Sequence, residues 1–273
     1  MIEAAVSISL TPEARGGPFV FSDRLSAGCA RASQLGFHGI ELFPRAAEEV
    51  DSRKLKELLA KHRLKLAAIG TGAGWLLRKL SLTHPKGSVR REAQHFIGEI
   101  IDLASDFGAA VIIGSMQGRV ESNTTRQQAM IWMKECLEHL GERSCAAGIP
   151  LMIEPLNRYE TNVLNRISEG ITVLKSLRTR NVKLLCDLYH MNIEEASIPE
   201  ALIKAGKRLG HVHWADSNRH AMGFGHTTME PVVKALRKIG YSGYISAEVL
   251  PLPSPESAAR QTMKSYRHFF GRR

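Results

Sequence analysis

Four side chains that could bind a metal ion lie at the ends of successive apolar segments in the second half of the chain. The segments are "MIEPL", "LLCDLYH", "HVHWADS" and "ISAEVL", and the side chains are Glu154, Asp187, His213 and Glu248. Three carboxylates and one imidazole that meet in an apolar interior cannot all be ionised without a counter-charge. One divalent cation would supply it. Oxygen ligands with one nitrogen suit Mn²⁺, Mg²⁺ or Co²⁺, with Zn²⁺ as a further alternative.

Three further polar residues follow these candidates within three to six positions: Glu160, His190 and Arg219. We expect them in the loops after the strands, where they could face the same ligand. An acid, a histidine and an arginine around a cation suit a polyhydroxylated anionic or carbonyl compound. Each of them could instead be a solvated loop residue.

The elements that must position these residues are eight apolar segments rich in β-branched residues. The predicted strands are "AAVSISL", "GIELF", "LKLAAIG", "AAVIIGS", "PLMIEPL", "VKLLCDL", "LGHVHWA" and "YISAEVL", which begin at residues 4, 39, 64, 109, 150, 182, 209 and 244. Segments with helical periodicity lie between them, among them 90–107, 127–147 and 230–239. This alternation indicates βα units around a parallel sheet.

Helix boundaries are marked by capping residues. Thr227 with Glu230 and Thr124 with Gln127 have the spacing of a capping box, and Ser254-Pro255 places proline at a first helical position. A left-handed residue after a helix is expected at four glycines that precede strands, namely Gly36, Gly108, Gly148 and Gly240.

Eight βα units in 273 residues predict an α/β fold of the (β/α)₈ TIM-barrel type, with one domain spanning residues 1–273. The rival is an open doubly wound sheet, but no G-x-G-x-x-G follows the first strand. Candidate ligands separated by 33, 26 and 35 residues would share one layer at the barrel mouth.

Trp75, after the third strand, could line that mouth or merely pack beside it. Glu41, on the second strand, could contact a substrate, although an ion pair at the rim is favoured.

The composition narrows the class of protein. The net charge of +10 admits nucleic acid, an anionic membrane or an acidic small molecule as partners, although solvated helix faces explain much of it. The four cysteines form no C-x-x-C pair, and the chain shows neither a secretory signal nor an apolar run of about 20 residues. We therefore expect a cytoplasmic protein without a membrane partner.

The motifs "IGTGAGW", "LSLTHP", "IEPLNRYET", "HMNIEE", "ADSNR" and "LPLP" resemble the ketose 3-epimerase branch of the xylose-isomerase-like TIM-barrel family, whose members are often described as sugar phosphate isomerases/epimerases. Within that branch they are most similar to keto-gluconate epimerases. One departure is visible: "SNR" is commonly followed by Pro-Gly, whereas this chain has Met222 before Gly223. That loop could shape the substrate pocket.

The resemblance implies a role for each candidate residue. Glu154, Asp187, His213 and Glu248 would be the ligands of one Mn²⁺-type ion, and Glu154 and Glu248 would remove and return a proton on opposite faces of the substrate. Glu160, His190 and Arg219 would hold substrate oxygens. The implied partner is a small keto-sugar or sugar acid, such as 5-keto-gluconate, and the implied assembly is a homodimer or homotetramer.

Inverting a carbon next to a ketone means removing its proton and returning it on the other face through an enediolate, which a chelated metal would stabilise. Three other functions stay open. An aldose–ketose isomerase would use the same site. An apurinic endonuclease would suit a basic surface but needs more histidines, and "GFGHTTM" lacks its Asp-x-His pair. A sugar-binding sensor would need no catalysis.

Overall fold

The computed structural model describes residues 1–22 and 24–271. Eight parallel strands close into a barrel in which each strand pairs with its neighbours in chain order and β8 pairs with β1. The strands are β1 (Glu3–Ser9), β2 (Gly39–Phe43), β3 (Lys65–Gly70), β4 (Ala110–Ile113), β5 (Leu151–Ile153), β6 (Val182–Asp187), β7 (Leu209–His213) and β8 (Tyr244–Ala247). The predicted (β/α)₈ fold is confirmed, and each predicted strand segment overlaps one of these strands.

Helices connect the strands on the outside of the barrel. They are α1 (Leu25–Leu35), α2 (Ser52–His62), α3 (Ala73–Arg78), α4 (Gly87–Ser105), α5 (Arg126–Ala146), α6 (Ile167–Ser176), α7 (Leu188–Glu194), α8 (Ile198–Ala205), α9 (Met229–Lys238) and α10 (Pro255–Phe270). Within the described residues, no helix is both long enough and apolar enough to cross a lipid bilayer.

Two of the three predicted helix starts are wrong by one residue. The α5 cap is Thr125 rather than Thr124, and its side chain accepts a hydrogen bond from the Gln128 backbone N–H at 3.1 Å. The α9 cap is Thr228, and the backbone N–H of the preceding Thr227 donates to a loop carboxylate. Ser254 caps α10 as predicted. The four glycines all have positive φ, as expected: Gly36, Gly108, Gly148 and Gly240.

The strands alternate between two apolar layers. Val111, Ile153 and Leu184 point outwards and pack against the helices, whereas Ala110, Met152 and Leu185 belong to a separate small cluster. Because side chains alternate along a strand, we place that small cluster inside the barrel. The next inward position after Met152 is residue 154, and the next after Leu185 is residue 187. The predicted ligands therefore lie one layer above the interior cluster, at the carboxyl ends of the strands.

Candidate metal centre and active site

The structure brings the four predicted ligands to one point at the barrel mouth. His213 Nδ1 lies 3.4 Å from Glu154 Oε1, 3.6 Å from Asp187 Oδ2 and 3.5 Å from Glu248 Oε2. One candidate donor atom from each residue lies within 4.8 Å of all the others. The side chains of Glu154, Asp187 and His213 are buried, and that of Glu248 is 16% exposed.

These donor atoms fit a divalent cation. Glu154 Oε1, Asp187 Oδ2 and His213 Nδ1 are buried and have no hydrogen-bond partner among the residues that the structure describes. Unpaired buried polar atoms are costly, and three that face one another are suited to bind one divalent cation. The two oxygens of Asp187 have different partners. Its Oδ1 accepts a hydrogen bond from the Tyr189 backbone N–H at 2.8 Å, which leaves Oδ2 for the cation.

Burial and nearby charges shift the pKa values of side chains in this cluster. Burial, with the nearby charges of Glu154 and Asp187, raises the pKa of Glu248 to about 8 against the opposing charge of His213. Burial acts to lower the pKa of His213, but the charges of Glu41 and Glu248 hold it well above its ordinary value. Protons and a cation therefore compete for the same atoms, and cation affinity should rise with pH.

Two of the predicted substrate contacts form a polar wall beside the cluster. Arg219 Nη1 donates to Glu160 Oε1 at 2.8 Å, and Arg219 Nη2 lies 3.4 Å from Glu248 Oε2. The guanidinium also lies over the Tyr189 ring, 5.0 Å from its centroid. Arg219 is thus held between two carboxylates and an aromatic face, which leaves its orientation little freedom.

His190 faces the cluster through one ring nitrogen. Its Nδ1 lies 3.2 Å from the Asn157 backbone N–H, which donates to it, and 2.8 Å from Asn157 Nδ2. An accepting Nδ1 leaves the proton of a neutral ring on Nε2, which is buried 3.6 Å from Asp187 Oδ2. Asn157 was not predicted as a site residue, although it lies within the quoted motif "IEPLNRYET".

The loop after β7 is clamped by a single carboxylate. Asp216 accepts backbone N–H groups from Gly223 at 2.7 Å, Gly225 at 2.9 Å and Thr227 at 3.0 Å. These hydrogen bonds hold the loop that leads into α9. Arg219 lies in the same loop, and its φ of 61° is in the left-handed region. Met222, the position of the sequence departure, is fully buried in the core outside the barrel. Of this loop, Arg219 rather than Met222 lines the cavity.

The cluster opens into a cavity of about 460 Å³. Trp75 on α3 lies on its wall together with Phe43, Leu76 and residues 13–15 and 17–19, and the polar residues Glu160, His190 and Arg219 lie on the same wall. An apolar wall with a few convergent polar groups is typical of a small-molecule site. Trp75 thus lies on the cavity wall and also packs against the core outside the barrel.

Glu41 is not at the rim of the barrel. It is buried in the interior, where its carboxylate bonds to His211 Nε2 at 2.9 Å and His213 Nε2 at 3.2 Å. Burial opposes its ionisation, yet His213 and His211 hold the pKa of Glu41 well below its usual range. His211 was missed in the sequence, although "HVH" places two histidines on one face of a strand.

A closed (β/α)₈ barrel with acids and a histidine at the carboxyl ends of its strands has the arrangement of a TIM-barrel enzyme, because active sites of this fold lie at that end of the barrel. This chain belongs to the xylose isomerase-like TIM barrel family, whose model matches residues 29–269.

Its relatives include sugar epimerases. L-ribulose 3-epimerase from Methylomonas sp. strain DH-1 is 28% identical over 242 residues, covering 85% of this chain and 82% of that protein. A 3-dehydro-D-guloside 4-epimerase from Escherichia coli K12 is 32% identical over 116 residues, covering 42% and 44%. The solved structure of 3-keto-D-glucoside 4-epimerase from E. coli has the same fold, with a TM-score of 0.84 at 19% identity over 97% of this chain and 99% of that chain.

Proposed function

We propose that this chain is a divalent-metal-dependent epimerase that inverts a carbon next to the ketone of a keto-sugar or keto-sugar acid. The relatives are sugar epimerases and support the general class of enzyme. The observation that carries the proposal is the pair Glu154 and Glu248, which reach one point from β5 and β8, on different sides of the mouth.

Two carboxylates that approach from different directions suit an inversion. A single base would return the proton to the face from which it came, whereas one carboxylate can remove the proton and the other can deliver one to the opposite face. Glu154 has two carboxylate oxygens: Oε1 faces the proposed cation, and Oε2 is the atom that would take the proton. A positioned base of this kind contributes roughly 10²–10⁴-fold to the rate.

Glu154, Asp187, His213 and Glu248 would hold the cation, with Mn²⁺ as the proposed ion. When bound, it supplies Lewis-acid stabilisation of the negative charge that develops on the substrate oxygens. The residues of the wall then orient the sugar. Arg219 and the Nε2–H of His190 can donate to substrate oxygens, and Glu160 can accept from a hydroxyl group.

An acidic substrate is favoured by one cavity residue. Arg15 lines the cavity, is exposed, and has no carboxylate partner among the described residues, whereas Arg219 in the same cavity is paired twice. An unpaired guanidinium at the mouth can bind a carboxylate with little desolvation cost. We therefore propose 5-keto-gluconate or a similar sugar acid as the preferred substrate.

The Arg15→Met variant is expected to raise KM for 5-keto-gluconate about tenfold, the effect of losing one exposed charge-assisted contact. KM for a neutral ketose and kcat for either substrate should not change. Arg208→Met is the matched control, because Arg208 directly precedes β7 and so lies at the opposite end of the barrel. Equal KM changes for acidic and neutral sugars would contradict the role given to Arg15.

The experiment that tests the function is proton exchange followed by NMR. The Mn²⁺-loaded protein is incubated in deuterated water with keto-gluconates, tagatose and fructose, and the metal is removed before spectra are recorded. Deuterium at one α-carbon together with accumulation of its epimer supports an epimerase. A carbonyl that moves to the neighbouring carbon would identify an isomerase, and no exchange in any sugar would leave a binding protein. The expected dimer or tetramer stays a prediction that light scattering can check.

A further inference from the structure

A second group of buried ionisable side chains lies behind His213, on the side away from the proposed cation. Glu41 on β2 is 4% exposed and His211 on β7 is 2% exposed. Each oxygen of the Glu41 carboxylate is hydrogen-bonded to a different imidazole: Oε2 to His211 and Oε1 to His213. The two rings are nearly perpendicular, with an interplanar angle of 88°. The carboxylate is therefore held from two directions.

The backbone is irregular where this group is built. The register of β2 against β3 shifts between Ile40 and Glu41, and the register of β6 against β7 shifts between Leu184 and Leu185, which pairs with His211. A β-bulge re-aims the side chains beside it. Both shifts thus adjoin the residues that meet behind His213, and they turn Glu41 and His211 to meet across the barrel interior.

Two interpretations of this group are possible, because Glu41, His211 and His213 also have the spacing of a metal site. The hydrogen bonds decide between them. Both Glu41 oxygens already accept an N–H group, and neither Glu41 nor His211 has an unpaired buried polar atom in the described structure. A cation here would break both bonds and would need His213 to bridge two ions. Glu41 and His211 therefore support His213 through hydrogen bonds and do not form a second metal site.

The hydrogen bond from His213 to Glu41 determines which ring nitrogen of His213 carries the proton. A neutral imidazole carries one N–H group, and the bond to Glu41 requires that group on Nε2. The lone pair is then on Nδ1, the atom that faces Glu154, Asp187 and Glu248. The opposite tautomer would point a proton at the cation. A carboxylate behind a ligating histidine is a common way to set both its tautomer and its ring orientation.

We propose that Glu41 is a positioning residue for the cation site: it fixes the tautomer and the ring orientation of His213, while His211 holds its second oxygen. This inference rests on the proposed function, since it presupposes a cation bound by Glu154, Asp187, His213 and Glu248. It assigns no contact between Glu41 and the substrate, although the residue lines the cavity.

The test measures Mn²⁺ binding by calorimetry in wild type, Glu41→Gln and Glu160→Gln. Glutamine has one acceptor oxygen, so it cannot receive both imidazole N–H groups. We expect the Kd for Mn²⁺ to rise about 10–100-fold in Glu41→Gln, with one ion per chain in every variant. Glu160→Gln removes a carboxylate from the same cavity and bonds to none of the four proposed ligands, so its Kd should stay within about threefold of wild type.

A second measurement starts from the wild type, so its main result does not depend on the folding of a variant. Long-range ¹H–¹⁵N NMR of the Zn²⁺-loaded wild type reports which nitrogen of His213 carries the proton. We expect Nε2–H, with a proton shifted downfield by the Glu41 carboxylate, and the loss of that shift in Glu41→Gln. His211→Gln should weaken Mn²⁺ binding less than Glu41→Gln does, because Glu41 keeps its bond to His213.

The outcomes separate this inference from the function on which it rests. If wild type binds one ion and Glu41→Gln binds it equally well, the inference is wrong and the proposed function stands. Two ions in wild type and one in Glu41→Gln would make Glu41 a ligand of a second site and would also overturn it. A proton on Nδ1 of Zn²⁺-loaded His213 would do the same. A wild type that binds no divalent cation would overturn both proposals.

Discussion

The Glu248→Gln variant is expected to lose epimerisation by at least about 10²–10⁴-fold in kcat at saturating Mn²⁺, the contribution of one positioned base. Glutamine keeps the shape of the side chain and an oxygen for the cation, but it can neither take nor deliver a proton at neutral pH. Because Glu154 approaches the site from another strand, it should still act on one face of the substrate.

The variant therefore makes a sharper prediction than loss of rate. In deuterated water, Glu248→Gln should still exchange the α-proton of the epimer whose C–H bond faces Glu154, without forming the other epimer. Glu154→Gln should show the mirror pattern, with exchange in the other epimer only. Glu160→Gln is the control, since it should change KM but leave inversion intact. If Glu248→Gln inverts at an undiminished rate, the two-carboxylate mechanism is wrong.

Asp187→Asn is expected to weaken Mn²⁺ binding by more than about 100-fold, beyond the 10–100-fold range of residues that only support a ligand. Asp187 has two tasks, because one oxygen accepts the Tyr189 backbone N–H and the other faces the cation. Asparagine has one acceptor oxygen and cannot do both. It also removes one negative charge from a largely buried cluster, where the charge attracts the cation more strongly than it would in water.

Thermal unfolding provides the measurement for Asp187→Asn. A ligand at 100 times its Kd stabilises the folded state by about 2.7 kcal/mol, so Mn²⁺ should raise the Tm of wild type and chelation should lower it. The variant should show neither change, and its activity should not return when Mn²⁺ is restored. Asp102→Asn is the control, because Asp102 is an exposed carboxylate on α4 that pairs with Arg143. An Asp187→Asn protein that Mn²⁺ stabilises as much as wild type would refute this site.

Much of the fold follows from local patterns in the chain. Continuous apolar strands, capping residues such as Ser254 and left-handed glycines such as Gly36 act through neighbouring residues, and neighbours can be read from the sequence. The two capping threonines mispredicted by one residue show the limit of this argument. At the start of α9, Thr227 lies in a loop held by Asp216, 11 residues away, and the helix begins after Thr228.

For the site, the order of residues along the chain is enough to show which side chains can meet. Glu154, Asp187, His213 and Glu248 end their strands, and a closed parallel barrel brings strand ends together whatever its details. How these side chains are supported depends on the folded barrel. Glu41 and His211 come from strands on different sides of the barrel and are 170 residues apart. Their hydrogen bonds depend on irregularities in strand register that cannot be predicted from neighbouring residues. A long-range hydrogen bond between buried groups depends on the direction in which each side chain points, and that direction is settled only when the barrel closes.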